Sequence, residues 1–283
     1  MRHPYFATVL ACLAGFAASA QAPALPATEP AVLVVTYRLT YQPDSTDKTT
    51  RSEPMVLLLG KNLSKFESQR QQQADSMMVT AKDVPFTQEM VQALTSKMMA
   101  MPRSGFHYAI YKTAATKHVY YYDRIGLSSF RYEEPADAFA WTIAPATATI
   151  AGYACQRATA TFAGRTWEAW FTREMPISEG PYKFYGLPGL IVKVGDTRQQ
   201  YVFELLKLGK TATEQLVAFP TKAATSSTKA AFQKALADFN LDPVGRLSNT
   251  ANGGGYIILQ NPEEARQRAR ERAKKQNNPL ELK

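Results

Sequence analysis

Short runs of apolar and β-branched residues, each closed by turn chemistry, set the pattern of this chain. Residues 32–41 read Val-Leu-Val-Val-Thr-Tyr-Arg-Leu-Thr-Tyr and stop at Gln42-Pro43-Asp44-Ser45, a strand ended by a turn. The same pattern predicts strands at Met55–Leu59, closing on Gly60, and at Ser64–Glu67, Phe106–Lys112, His118–Asp123, Leu127–Tyr132 and Phe139–Ile143. Further strands are expected at Ile191–Val194, Gln200–Leu208 and Tyr256–Leu259. Strands this short and closely spaced predict an antiparallel sheet with short connections.

Three segments carry helical signals. Thr87 can cap a helix running to about Met101, with Phe86, Met90, Leu94 and Met98 on one stripe. Ser227 or Thr228 can start a second, whose apolar face is Phe232, Leu236 and Phe239. The third, about Pro262 to Lys275, is polar all round and is expected to project into solvent or fray.

Between these lies a strand-turn-strand unit. Tyr153–Phe162 is followed by Ala163-Gly164 and Arg165–Thr172, and Gly164 supplies the positive φ that a tight hairpin needs. A two-residue loop pairs Phe162 with Arg165, Ala160 with Trp167 and Ala158 with Ala169. One face then carries Ala158, Ala160, Phe162, Trp167, Ala169 and Phe171. The other carries Cys155, Arg157, Glu168 and Trp170, with Arg157 placed to stack on Trp170. A bulged loop would exchange the faces. Farther on, Glu179-Gly180-Pro181 marks a turn, and Leu187-Pro188-Gly189-Leu190 reads as a type II turn. The Pro and Gly residues answer backbone demands, so they are read as structural.

Gly152-Tyr153-x-Cys155, Ala169-Trp170-Phe171-Thr172, Pro176-Ile177-Ser178-x-Gly180-Pro181, Phe184 and Gly186-Leu187-Pro188-Gly189-Leu190-Ile191 resemble the GLPGLI family. That is a family of secreted proteins from Bacteroidota and some other Gram-negative bacteria. Asn278-Pro279-Leu280-Glu281 is similar to the family's ending, and the resemblance spans Val32 to the end of the chain. Tyr185 departs from the Gly often found before the six-residue motif, which matches in full. The resemblance implies no activity and no catalytic residues, because the family is largely uncharacterised.

Composition places the chain in a compartment. The first residues join Arg2 to an uncharged apolar run, Tyr5–Ala18, and to Ala18-Ser19-Ala20, the layout of a secretory signal over residues 1–20. The run is too short to span a bilayer, which takes ~20 apolar residues. Residues 21–31 read as a flexible leader, 32–260 as a single β-rich domain and 261–283 as a basic helical tail. Export to the periplasm or the outer membrane turns the net charge of +9 away from nucleic acid and towards anionic envelope surfaces. Cleavage removes Cys12 and leaves Cys155 without an internal disulfide partner; it is read as a buried thiol.

The expected fold is mainly β (α+β): a curved antiparallel sheet or half-open barrel with two packed helices and a basic C-terminal helix. Such a sheet with helical lids resembles lipoprotein-carrier folds, which motivates a non-enzymatic binding or accessory module for an apolar or amphiphilic ligand or envelope partner. Ala158, Ala160, Trp167, Phe171, Met90 and Met98 are the candidate lining residues. Two other readings stay open. Met98, Met101 and His107 combine thioether and imidazole groups that suit copper, although no cofactor is expected. A hydrolase would need convergent carboxylates, but the adjacent Glu133 and Glu134 face opposite sides of a strand.

Overall fold

The structure is a computed structural model that describes residues 28–81, 85, 87–113, 116, 118–136, 139–210, 215–220, 223–242 and 261–282. The expected signal over 1–20, Cys12, most of the leader, Phe86 and the strand Tyr256–Leu259 lie outside the described residues.

In chain order the strands are β1 Glu29–Pro30, β2 Leu33–Tyr41, β3 Arg51–Leu59, β4 Leu63–Ser68, β5 Ala109–Thr113, β6 His118–Ile125 and β7 Ser128–Pro135. They continue as β8 Thr142–Ile150, β9 Tyr153–Phe162, β10 Arg165–Thr172, β11 Leu190–Asp196, β12 Tyr201–Gly209, β13 Leu216–Val217 and β14 Thr225–Ser226. The helices are α1 Gln69–Thr80, α2 Gln88–Ala100, α3 Lys229–Leu241 and α4 Pro262–Lys274.

Among the described residues twelve strands form one open sheet in the order β14-β7-β6-β5-β4-β3-β2-β12-β11-β10-β9-β8, with β8 and β14 at its edges and no closed barrel. All pairings within it are antiparallel except that of β14 with β7. The curvature follows from packing. The Nζ of Lys112 on β5 donates to the carbonyl of Phe184 at 3.3 Å, while the ring of Trp167 on β10 lies 4.6 Å from the Phe184 ring. Those strands are six spacings apart, about 29 Å in a flat sheet. Both reach one residue only because the sheet curls around the loop between β10 and β11.

The inner face holds the main core, with Tyr37, Phe66, Trp167, Phe171 and Phe203 of the sheet fully buried against Phe184 and Leu187 of that loop. A smaller core covers the outer face, where Phe219 stacks on Tyr111 at 4.6 Å beside Val56, Leu58 and Leu63. The tyrosine run divides accordingly: Tyr120 and Tyr122 join the outer core, and Tyr121 packs against the inner one.

The β9–β10 hairpin has the register derived above, Phe162 opposite Arg165, Ala160 opposite Trp167 and Ala158 opposite Ala169. Ala163 and Gly164 take φ values of 50° and 77°, the paired positive angles of a type I′ turn. The expected type II turn at Leu187–Leu190 takes another form. Gly189 N–H donates to Leu187 at 2.8 Å, which makes Pro188 the centre of an inverse γ-turn, while Leu190 N–H donates to Met175. Gly189 has φ 154°, and a Cβ there would lie 2.0 Å from the Thr172 carbonyl oxygen, so the close crossing of β10 admits only glycine.

The helices depart most from expectation. α1 carries no apolar stripe in its Gln-Arg-Gln-Gln-Gln start; it begins where Ser68 Oγ accepts from Gln71 N–H and packs on β3 and β4. The Met-bearing α2 has no buried residue, so it is not the lid that its stripe suggested. α3 does pack on the sheet, through Phe232 against Tyr121, Phe130 and Tyr132. α4 lies beside α3, tied by Arg266 to Asp242. Beyond it the chain does not project but returns to the sheet.

Candidate functional site

Polar chemistry in the described residues concentrates on the inner face, where two cationic groups of the sheet and loop meet the returning C-terminal segment. Arg165 opens β10 just after the type I′ turn, which holds it at the rim of the core. Its side chain and that of Asp196 on β11 are each 2% exposed and 3.1 Å apart. All five guanidinium N–H groups are used: Asp196, Gln200, Asn278 Oδ1 and the carbonyls of Pro279 and Leu280 accept them at 2.6–3.1 Å. The guanidinium also sits over the Tyr201 ring at 5.0 Å.

The second group is Lys183, carried into the inner face by the loop that holds the Gly-Leu-Pro-Gly turn. It is buried, and its Nζ lies 5.1–5.6 Å from the ring centres of Tyr121, Tyr132 and Tyr182. It pairs with Glu134 of β7 and, at 2.6 Å, with Glu281. Lys229, at the start of α3, bridges the same two carboxylates at 2.8 and 2.6 Å, and Tyr182 Oη donates to Glu281 at 2.6 Å. Burial opposes charge on Glu281, yet Lys183 and the hydrogen bonds from Lys183, Lys229 and Tyr182 hold its carboxyl below the usual range. Burial raises the Tyr182 hydroxyl well above its ordinary value, so it acts as a donor.

Two further ion pairs are built on buried lysines of β4 and β5. Lys112 meets Glu179 at 2.6 Å and donates to the carbonyl of Gly180, pinning the loop to β5; burial keeps its ammonium below the ordinary lysine range. On the outer face Lys65 Nζ lies 2.7 Å from both Glu67 and Asp75 of α1. Burial lifts the Glu67 carboxyl to about 7, against the pull of the Lys65 ammonium.

The sequence-selected residues take the following places. Ala158, Trp167 and Phe171 belong to the buried inner core, where the Trp167 ring lies 4.6 Å from that of Phe184 in the loop, and Ala160 is buried opposite Trp167. Gly152 (φ 86°) closes the β8–β9 turn, and Tyr153 beside it is half-buried. Cys155 is buried with its thiol pushed up by burial. Trp170 is half-buried, opposite Arg157, with both side chains engaging Glu168. Gly180, Pro181, Leu187, Leu190 and Ile191 are buried, and Gly186 and Pro188 are exposed in the same loop. Met90 and Met101 are half-buried, Met98 and His107 exposed. No group of three His, Cys, Asp or Glu placed to hold a metal ion occurs among the described residues. Glu133 is exposed and Glu134 turned inwards, as strand alternation requires, and Glu134 is committed to two lysines.

Sequence reasoning missed Arg165, Lys183, Lys229 and Glu281. The available signal was a cation set inside an apolar stretch, Arg165 before Thr-Trp and Lys183 between Tyr182 and Phe184, because a charge in a core segment requires a partner. A different surface feature lies on α1 and α2. Met78, Val91, Met98 and Met99 are 55, 39, 39 and 80% exposed, beside the exposed Lys97 and Arg103.

Residues 162–193 match a family described as a protein of unknown function (Porph_ging), a match confined to β10, the inner loop and the start of β11. No curated protein matches the chain. Among solved structures it is similar to PNGF-II in a C2 space group, with a TM-score of 0.50 and 12% identity over 73% of this chain and 33% of that one. PNGF-II in a P21 space group gives 0.48 and 11%. The chain thus spans about a third of PNGF-II, and the likeness is one of fold alone. No helix among the described residues is long and apolar enough to cross a membrane.

Proposed function

We propose that the protein is a secreted, GLPGLI-type accessory module of the cell envelope, in the periplasm or at the outer membrane. It acts by binding an anionic amphiphilic surface and not by catalysis. In this reading residues 1–20 are a signal peptide, 21–31 a leader, 32–260 one domain and 261–283 a basic tail. The family-type residues Gly152, Tyr153, Cys155, Trp170, Gly180, Pro181 and Gly186–Ile191 are structural.

The observation that carries the reading is the exposure of Met78, Val91, Met98 and Met99 on two helices of a protein whose inner face is occupied by its own loop. Three of the four lie on α2, and exposed large hydrophobics gathered on one element mark a contact surface. Lys97, Arg103 and the net charge of +9 favour an anionic one.

Flotation with phosphatidylglycerol vesicles tests this. The protein is expected to rise with the vesicles, and Met98→Glu with Met99→Glu should lower the bound fraction several-fold at unchanged melting temperature. A wild-type protein that stays in the bottom fraction, or a variant that floats equally well, rejects the reading.

A further inference from the structure

The C-terminal segment 278–282 is held as a bound peptide is held. It forms no strand or helix of its own, and its contacts run to five side chains from distant parts of the chain: Arg165, Tyr182, Lys183, Tyr201 and Lys229. Three of its side chains are read separately. Asn278 accepts from Arg165 through Oδ1 and donates through Nδ2 to the Gln42 carbonyl at 2.7 Å. Leu280 is buried in the inner core. Glu281 receives two ammonium groups and the Tyr182 hydroxyl.

The main chain is bound as well. Asn278 N–H donates to Pro43 and its carbonyl accepts from Tyr201, while Leu282 N–H donates to Ala163. Pro279 contributes only its carbonyl, to Arg165, so no contact there depends on its side chain.

Charge supplies an independent argument. Without Glu281, the group of buried Lys183 with half-buried Lys229 and Glu134 carries one uncompensated positive charge, which favours an anion in a poorly solvated place. Arg165 without the segment would lose the acceptors for three of its five N–H groups.

We propose that the inner face bears a sequence-selective peptide-binding site for Asn-x-Leu-Glu, occupied in cis by the chain's own terminus. The site needs no covalent continuity with its ligand, because every contact is a hydrogen bond, an ion pair or apolar burial. This proposal is independent of the vesicle-binding surface on α1 and α2.

The test uses the full-length chain carrying Asn278→Ala and Glu281→Gln, so that the resident segment binds poorly. A fluorescein-labelled Asn-Pro-Leu-Glu-Leu-Lys peptide is titrated and followed by anisotropy. The double variant is expected to bind the peptide at least tenfold more tightly than wild type, whose site is filled. A peptide with Gln in place of Glu, and the double variant further changed by Arg165→Lys, should each weaken binding at least tenfold, because lysine keeps the charge but lacks the planar fork. If the double variant melts early, the peptide should raise its melting temperature while a scrambled peptide does not. No peptide binding and no thermal rescue, or equal binding of the scrambled peptide, overturns the proposal. Association of the double variant with an Arg165→Ala chain that still carries its own terminus would identify the second copy as a source of the same ligand.

Discussion

On β4, Glu67 is buried on the outer face, with its Oε1 2.7 Å from the Lys65 ammonium. Its carboxyl titrates at about 7 in the fold against an ordinary 4.5, chiefly because burial disfavours the charge. Between those values the folded state binds more protons than the unfolded one. The stability this group contributes is therefore complete below 4.5 and is lost as the pH rises through 7. Glu67→Gln should flatten that part of the profile, so that the difference in unfolding free energy between pH 5 and pH 8, read from urea denaturation, shrinks. An unchanged difference would assign the pH dependence to other groups. Lys65 keeps Asp75 at 2.7 Å in the variant, so its ammonium is not abandoned. None of this was legible along the chain, since Ser64–Glu67 reads only as a short strand. What makes Glu67 unusual is the layer that α1 places over it.

At the scale of elements, α2 is held by its ends and not by its face. Thr87 Oγ1 accepts from Met90 N–H at the start. At the end, the Arg70 guanidinium from α1 donates to the carbonyls of Met98, Met101 and Pro102 at 2.7–3.0 Å. A cation on the last carbonyls of a helix is worth about 0.3–1 kcal/mol where exposed. Arg70→Ala should therefore speed amide exchange across residues 88–100 several-fold while moving the global melting temperature by less than about 2 °C. Unaltered exchange would show that the cap is dispensable. The 3.6-residue stripe Met90, Leu94, Met98 correctly marks a helix, but periodicity says nothing of whether another layer exists to cover it. The β9–β10 hairpin is the opposite case: a two-residue turn leaves one register, so Ala163-Gly164 determines every pair from Phe162–Arg165 onwards.

Over the whole molecule, Phe184 is where the inner loop seats on the sheet, between β10, β12 and the segment before β8. Its ring meets Trp167 at 4.6 Å, Phe139 at 5.3 Å and Phe203 at 6.3 Å. Phe184→Ala should cost about 3–5 kcal/mol, or roughly 10 °C in a chain of this size, and calorimetry would show it as one cooperative shift. A loss below about 1 kcal/mol would mean that the sheet holds its curl without the loop.

Most strand positions, the hairpin register, the inward and outward tyrosines and the mainly β class follow from the sequence, because alternation and turn chemistry act within a few residues; the expected strand Phe139–Ile143 meets β8 only at Thr142 and Ile143. The inverse γ-turn at Pro188, the seat of Glu281 between two lysines and the bare face of α2 were decided by tertiary structure. Arg165 meets Leu280 across 115 positions of chain. No local pattern encodes such a meeting; it exists only once the sheet has curled and brought the terminus back to its inner face.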